Sequence, residues 1–179
     1  MPPADALIRA ARRDDMAAVA AVFAHYVSDT VVTFEEIAPT VADWRRRLTE
    51  LTERGLPFLV AEIGGEVVGF AFAGPWRGKP AYRYSVEDSV YLAPGWTGKG
   101  LGRALLDALL ARCRAAGVRQ VIAVIAAGPD GGERDEAASA ALHRAFGFAE
   151  AGRLRGVGRK HGRWLDTILM QRDLTAPGD

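Results

Sequence analysis

Three glycines at alternate positions, Gly98, Gly100 and Gly102, sit between an apolar run and a helical pattern. The whole stretch, Val90–Arg103, reads V-Y-L-A-P-G-W-T-G-K-G-L-G-R. Val90, Tyr91 and Leu92 read as the end of a strand, Pro94-Gly95 breaks it, and an amphipathic helix is predicted over Leu101–Ala116. A strand, a glycine-rich turn and a helix N-terminus make an anion site. Glycine lets backbone N–H groups approach an oxygen closely, and the helix dipole favours negative charge there. Lys99 and Arg103 add positive charge. The chemistry implied is the grip of a phosphate or pyrophosphate. Two common forms of that grip do not fit. A P-loop needs G-x-x-x-x-G-K-[ST], which is absent. A dinucleotide fingerprint needs G-x-G-x-x-G and an acidic residue about 20 positions later; here the spacing is G-x-G-x-G and the helix that follows is rich in Arg.

Two titratable side chains flank this cradle. Alternation along a strand over Tyr82–Leu92 puts Val86, Val90 and Leu92 on one side and Glu87, Ser89 and Tyr91 on the other. Glu87 should therefore project from the polar side of the strand that feeds the cradle. His143 follows the cradle by one β–α unit, and a histidine takes or gives a proton near neutral pH. His25 and His161 have no metal-ligand spacing with it, so no metal site is expected. The single cysteine, Cys113, shares a helical face with Leu105 and Leu109 and reads as a small core residue.

The elements that must hold these residues follow from periodicity. A short strand over Ala6–Ala10 precedes a helix over Asp15–Val27, with Met16, Val19, Phe23 and Val27 on its apolar face. Thr40 should cap a second helix, Val41–Arg54, that turns Trp44, Leu48 and Leu51 inward. Phe58–Ile63 and Val67–Ala73 form a hairpin about Gly64-Gly65. Val118–Ala126 is almost wholly apolar, as a strand covered on both faces must be. A loop over Gly128–Asp135, a helix over Glu136–Phe146 and two closing strands, Phe148–Gly156 and Trp164–Arg172, complete the chain. This order predicts an α/β (α+β) fold: a mixed sheet of about seven strands flanked by about four helices. The β–α–β passage through the cradle should be parallel with a right-handed crossover, leaving a crevice where strands diverge.

With 179 residues, 49% of them apolar, 25% charged and a net charge of +1, the composition is that of an ordinary globular domain. A single domain over 1–179, with its core at about 6–173, is expected. Near-neutrality disfavours nucleic acid as a partner. No run reaches the length of a membrane span or a signal peptide, and one cysteine suits a cytoplasmic location.

The cradle resembles motif A of the GNAT acyl-CoA N-acyltransferases, [QR]-x-x-G-x-[GA], matched by Thr97-Gly98-Lys99-Gly100-Leu101-Gly102 with Thr97 in place of Gln or Arg. Further stretches, A-G-P-W at Ala73–Trp76, Y-R-Y-S-V-E-D-S-V-Y-L at Tyr82–Leu92, S-A-A-L-H-R-A-F-G-F at Ser139–Phe148 and G-R-K-H-G-R-W-L-D at Gly158–Asp166, resemble the phosphinothricin and methionine sulfoximine N-acetyltransferase subfamily. The resemblance implies acetyl transfer from acetyl-CoA to the α-amine of a small amino-acid-like acceptor in a detoxifying or metabolic role, by a homodimer. It implies Glu87 as general base and His143 as the acid that protonates the leaving thiolate. Backbone groups around Val90, Tyr91 and Leu92, the cradle from Gly98 to Arg103, and Ser139 would hold acetyl-CoA. Phe34, Trp76, Tyr82, Arg83 and Lys160 come from the segments expected to meet the acceptor, with Arg83 suited to a carboxylate. Glu136 stands where the family often has Asn, and Gly128–Asp135 looks like an insertion. Two other readings are a GNAT enzyme for a different small amine or a peptide N-terminus, and a non-catalytic acyl-CoA sensor. A polyamine acceptor is disfavoured, because Trp76–Tyr84 carries three basic residues and no acidic one.

Overall fold

Hydrophobic alternation divides the two faces of one sheet between two helical layers. The computed structural model describes residues 1–128 and 134–175. Seven strands, β1 (Leu7–Ala10), β2 (Phe58–Ile63), β3 (Glu66–Pro75), β4 (Ser85–Leu92), β5 (Gln120–Ala127), β6 (Ala149–Lys160) and β7 (Arg163–Asp173), lie in the order β1-β2-β3-β4-β5-β7-β6. Every neighbouring pair is antiparallel except β4 and β5. Four helices accompany them: α1 (Met16–Asp29), α2 (Val41–Glu53), α3 (Leu101–Ala115) and α4 (Arg134–Arg144). The expected fold class is what forms. Most of the Gly128–Asp135 insertion lies outside the described residues.

The β2 run F-L-V-A shows how the faces are shared. Phe58 and Val60 pack with Met16, Val19, Phe23, Trp44 and Phe70 under α1 and α2. Leu59 and Ala61 pack with Leu101, Leu105, Leu109 and Val86 under α3. Cys113 belongs to this second layer. Its thiol is pushed up to about 12, first by burial, so it is a neutral core group at physiological pH. At the start of α2 the Thr40 hydroxyl accepts from the Asp43 N–H at 3.2 Å, while the Asp43 carboxylate accepts from the Thr40 N–H at 2.9 Å. This reciprocal cap satisfies two otherwise orphaned donors and fixes where the helix presents Trp44 and Arg47.

Two expected boundaries move furthest. The strand read from Tyr82 begins only at Ser85, because Pro80 opens a 3-10 turn over Pro80–Tyr82. Proline fixes φ for a turn and supplies no N–H to a ladder. The closing hairpin is longer than expected and turns on His161-Gly162, both at positive φ (49° and 75°). That is the requirement of a two-residue primed turn.

Candidate active site

β4 and β5 pair at only three positions, Ser85–Gln120, Val86–Val121 and Glu87–Ile122. Beyond Glu87 each strand stays with its other neighbour: β4 follows β3 as far as Leu92–Gly69, and β5 follows β7 as far as Ala127–Asp166. The parallel pair therefore opens into a cleft with Glu87 at its apex. The Ala93 N–H donates to the Val68 carbonyl. Ladder alternation then commits the Tyr91 backbone to Phe70 and turns the Val90 amide and carbonyl into the gap. At the mouth the Tyr26 hydroxyl, from α1, donates to the Leu92 carbonyl at 2.6 Å.

A cavity of about 520 Å³ fills this cleft. The cradle forms one end: Thr97, Gly98, Gly100, Gly102 and Arg103 line it, with Gly98 and Gly100 at φ of 74° and 81°. These left-handed conformations let the chain turn abruptly into α3. At Gly102 a Cβ would stand 3.5 Å from Leu142 of α4, an ordinary contact, so this glycine is not required by local packing. Leu101 is fully buried in the core, so only its backbone can serve the cradle. Lys99 does not line the cavity; its ammonium lies 4.5 Å above the Trp96 ring. The Arg103 guanidinium is both at the cavity and over Phe146, at 5.2 Å. The turn, the free amides at the start of α3 and the Arg103 charge suit a pyrophosphate, and the open Val90 edge suits an extended amide chain.

Glu87 is half-buried and lines this cavity together with Asp88, Ser139 and His143. Burial, and then the neighbouring Asp88 charge, raise its pKa above the usual carboxylate range. A carboxyl poised in that way is a better base near neutrality than an exposed one. His143 is on the opposite face of β4 from Glu87. It is 5% exposed, packs edge-on against Phe148 and is hydrogen-bonded through Nε2 to Asp88 at 3.0 Å. Asp88 escaped the sequence reading. The available signal was an acid on the apolar, even-numbered side of β4.

A second cavity of about 380 Å³ opens on the α1–α2 side. Glu87, Ser89 and Tyr91 line it as well as the first, and Thr33, Glu35, Arg47, Glu50 and Phe72 complete much of its wall. Glu87 thus stands where the two cavities meet. Arg47, the last of three consecutive arginines on α2, lies over Trp44 and Phe72 at 5.1 and 5.5 Å. The residues expected to meet an acceptor are scattered. Lys160 is 3% exposed, and its ammonium donates to the Thr33 carbonyl at 2.8 Å and the Tyr26 carbonyl at 3.2 Å. It ties the segment after α1 to β6 and is spent on that. Phe34 lies against Gly158. Tyr82 and Arg83 are exposed on the β3–β4 connection, where Arg83 stacks on Tyr84 at 4.7 Å and donates to the Pro80 carbonyl. Trp76, half-buried on the same connection, lies under Arg77 at 5.2 Å and lines neither cavity. Among the described residues no cluster of three or more His, Cys, Asp and Glu could hold a metal ion, and no helix is long and apolar enough to cross a membrane.

A mixed sheet split at one parallel pair, with a glycine cradle at the mouth of the split and a carboxyl at its apex, defines an N-acyltransferase. The sequence profile of the acetyltransferase (GNAT) domain matches residues 8–169, and the chain belongs to that family. It is 45% identical to a phosphinothricin N-acetyltransferase of Alcaligenes faecalis over 94% of this chain and 83% of the relative. It is 38% identical to an L-methionine sulfoximine/L-methionine sulfone acetyltransferase of Pseudomonas paraeruginosa, covering 94% and 95% of the two chains. Among solved structures, a GNAT phosphinothricin acetyltransferase from Sinorhizobium meliloti in complex with acetyl-CoA superposes with a TM-score of 0.87 at 42% identity, covering 98% of this chain and 94% of that one.

Proposed function

We propose that this enzyme transfers an acetyl group from acetyl-CoA to the α-amine of a small amino acid or amino-acid analogue of the phosphinothricin or methionine sulfoximine kind. The observation that carries the reading is the position of Glu87, which lines both the cradle cavity and the cavity on the α1–α2 side. Acetyl-CoA would lie in the first, its pyrophosphate on the amides between Gly98 and Arg103 and its extended arm along Val90. When bound it supplies the activated acyl carbon. The acceptor would enter from the second.

The residues then divide the work. An ammonium cannot attack a carbonyl carbon, so Glu87 takes its proton directly or through one water. The Val90 amide, unlike that of Tyr91, is open toward the cleft and is the one placed to steady a carbonyl oxygen as it gains charge. His143 supplies a proton to the leaving sulfur. Thiol release from acetyl-CoA across a panel of amines tests the reading. Methionine sulfoximine and phosphinothricin should give rates well above background. A rate with other small amines alone would overturn the acceptor, and no rate with any amine would favour a sensor.

For the acceptor carboxylate we propose Arg47 in place of Arg83 and Lys160, since among the residues described at the second cavity it is the only cation. Arg47→Met should raise the acceptor KM about tenfold or more, as loss of a charged hydrogen bond worth about 1.5–3 kcal/mol requires, with acetyl-CoA KM unchanged. If Arg83→Met has that effect and Arg47→Met does not, the cation belongs to the β3–β4 connection.

The protein is proposed to act in the cytoplasm, where its one thiol stays reduced, and to be a homodimer. Leu154 and Val157 of β6 and Trp164 of β7 are exposed, as is Phe34, which lies against Gly158 of β6. Apolar groups gathered on an edge hairpin suit burial against a second copy. Light scattering should give twice the chain mass, and Trp164→Asp should shift it toward the monomer without unfolding the chain.

A further inference from the structure

Asp88 breaks the pattern of its own strand. It points with Val86 into the α3–α4 layer and is 6% exposed. A buried carboxylate is costly unless paired. The Oδ2 atom of Asp88 is partnered by His143 Nε2 at 3.0 Å, while Oδ1 is buried with no hydrogen-bond partner.

The other ring nitrogen fixes how many protons this pair holds. His143 Nδ1 lies 2.7 Å from the Ser139 backbone carbonyl. A carbonyl only accepts, so Nδ1 carries a hydrogen. A hydrogen bond between Nε2 and Oδ2 then requires a second proton. Without it, two lone pairs would face each other at that distance.

Few other groups bear on the ring. β5 brings only Ala123, Val124 and Ile125 to this part of the cavity. From α3 come Cys113, neutral and buried, and Arg103, which lies over Phe146. Glu87 is on the far face of β4, and Arg144, next to His143 on α4, is exposed. The Asp88 carboxylate is therefore the charge that counts. It raises the proton affinity of His143 against the opposing effect of burial, which is the largest single influence.

We propose that Asp88 is the positioning residue for proton delivery: it retains the second proton on His143 Nε2, and that proton is the one passed to the departing sulfur. The inference rests on the acid role proposed above for His143. When the acyl carbon–sulfur bond breaks, its electron pair goes to sulfur. The Nε2–H bond breaks, an S–H bond forms, and the electron pair of the N–H bond stays on Nε2. The pair is left with one proton, on Nδ1, and one negative charge, on Asp88. Buried charge and opposed lone pairs then draw a proton back from solvent and reset it.

The test needs no bound donor. In the ligand-free protein, both ring nitrogens of 15N-labelled His143 should show protonated-type shifts at about pH 7.5. In Asp88→Asn the ring should titrate at lower pH than in the wild type. Turnover should follow, with a loss of about tenfold or more at about pH 8.5 and of threefold or less at about pH 6, the size expected when general acid catalysis is removed by titration. Asp88→Glu should restore much of the high-pH rate. In a His143→Gln background, Asp88→Asn should cost nothing further. An unprotonated Nε2 in the wild type, an unchanged titration in Asp88→Asn, or an equal loss at every pH would overturn the proposal. Should Asp88→Asn fail to fold, the wild-type nitrogen shifts and the Asp88→Glu profile decide it. Full turnover in His143→Gln with the titration shift intact would instead remove His143 as the acid, while leaving Asp88 as the group that sets its protonation.

Discussion

Glu87→Gln should lower turnover about 10²–10⁴-fold, the range for loss of a positioned general base, with KM for acetyl-CoA little changed. Gln keeps the volume and a hydrogen-bonding amide but cannot accept the proton. The substitution should also hold or raise stability at neutral pH, and the sign follows from linkage. Burial and Asp88 raise the folded-state pKa of Glu87. The unfolded chain then loses this proton at lower pH than the folded one. Stability falls as pH rises between the two values, and the cost persists at every higher pH. Removing the charge removes that cost. Thiol release and a thermal melt on the same preparation check both halves; a variant that loses stability along with activity would point to a structural role. For the wild type, the acid limb of the activity profile should lie above the usual carboxylate range, because the working form is the carboxylate.

The largest effect on stability is expected from Trp44→Ala: a loss of about 3–5 kcal/mol. Trp44 is 1% exposed, with Phe23, Phe70 and Phe58 centred 5.2, 5.3 and 6.1 Å away. Its indole N–H has no hydrogen-bond partner, so what it contributes is packing. For a chain of this size the melting temperature should drop by roughly 6–20 °C, measured calorimetrically. The site should feel it unevenly. Arg47 stacks on Trp44 and Phe72, so the acceptor KM should rise, while the cradle, supported by the α3–α4 layer, should keep its affinity for acetyl-CoA. Equal damage to both substrates would mean that the two layers are not mechanically separate.

The framework and the cradle were legible because their signals are local. Glycine spacing, a proline break and helical periodicity each act within a few residues, and they located the end of β4, the turn and α3 to within a residue or two. Glu87 was legible because alternation along one strand needs only that strand. What sequence could not supply was pairing across elements. Asp88 and His143 are 55 residues apart and meet only because α4 packs beside the opened β4–β5 pair. Lys160 reads as a substrate cation until α1 and the segment after it are seen to place the Tyr26 and Thr33 carbonyls beside it. Nothing along α2 alone singles out Arg47; β3 brings Phe72 beneath it. Placement written along one segment could be read from the sequence; placement shared between segments could not.

The three-residue pairing of β4 with β5 has a consequence for the molecule as an assembly of strands. Sheets ordinarily keep their unsatisfied rims at the outside, where proteins blunt them against stray pairing. Here one rim is interior. Val90 offers a backbone donor and acceptor to the middle of the molecule, so the sheet is one strand short at its centre. Ala138, Ser139, Leu142 and His143 of α4 line the cavity in this gap, where a thin amide-bearing chain could meet the open edge. If the acyl donor binds as proposed, it would act as a transient strand, and the enzyme would complete its own sheet once in every turnover.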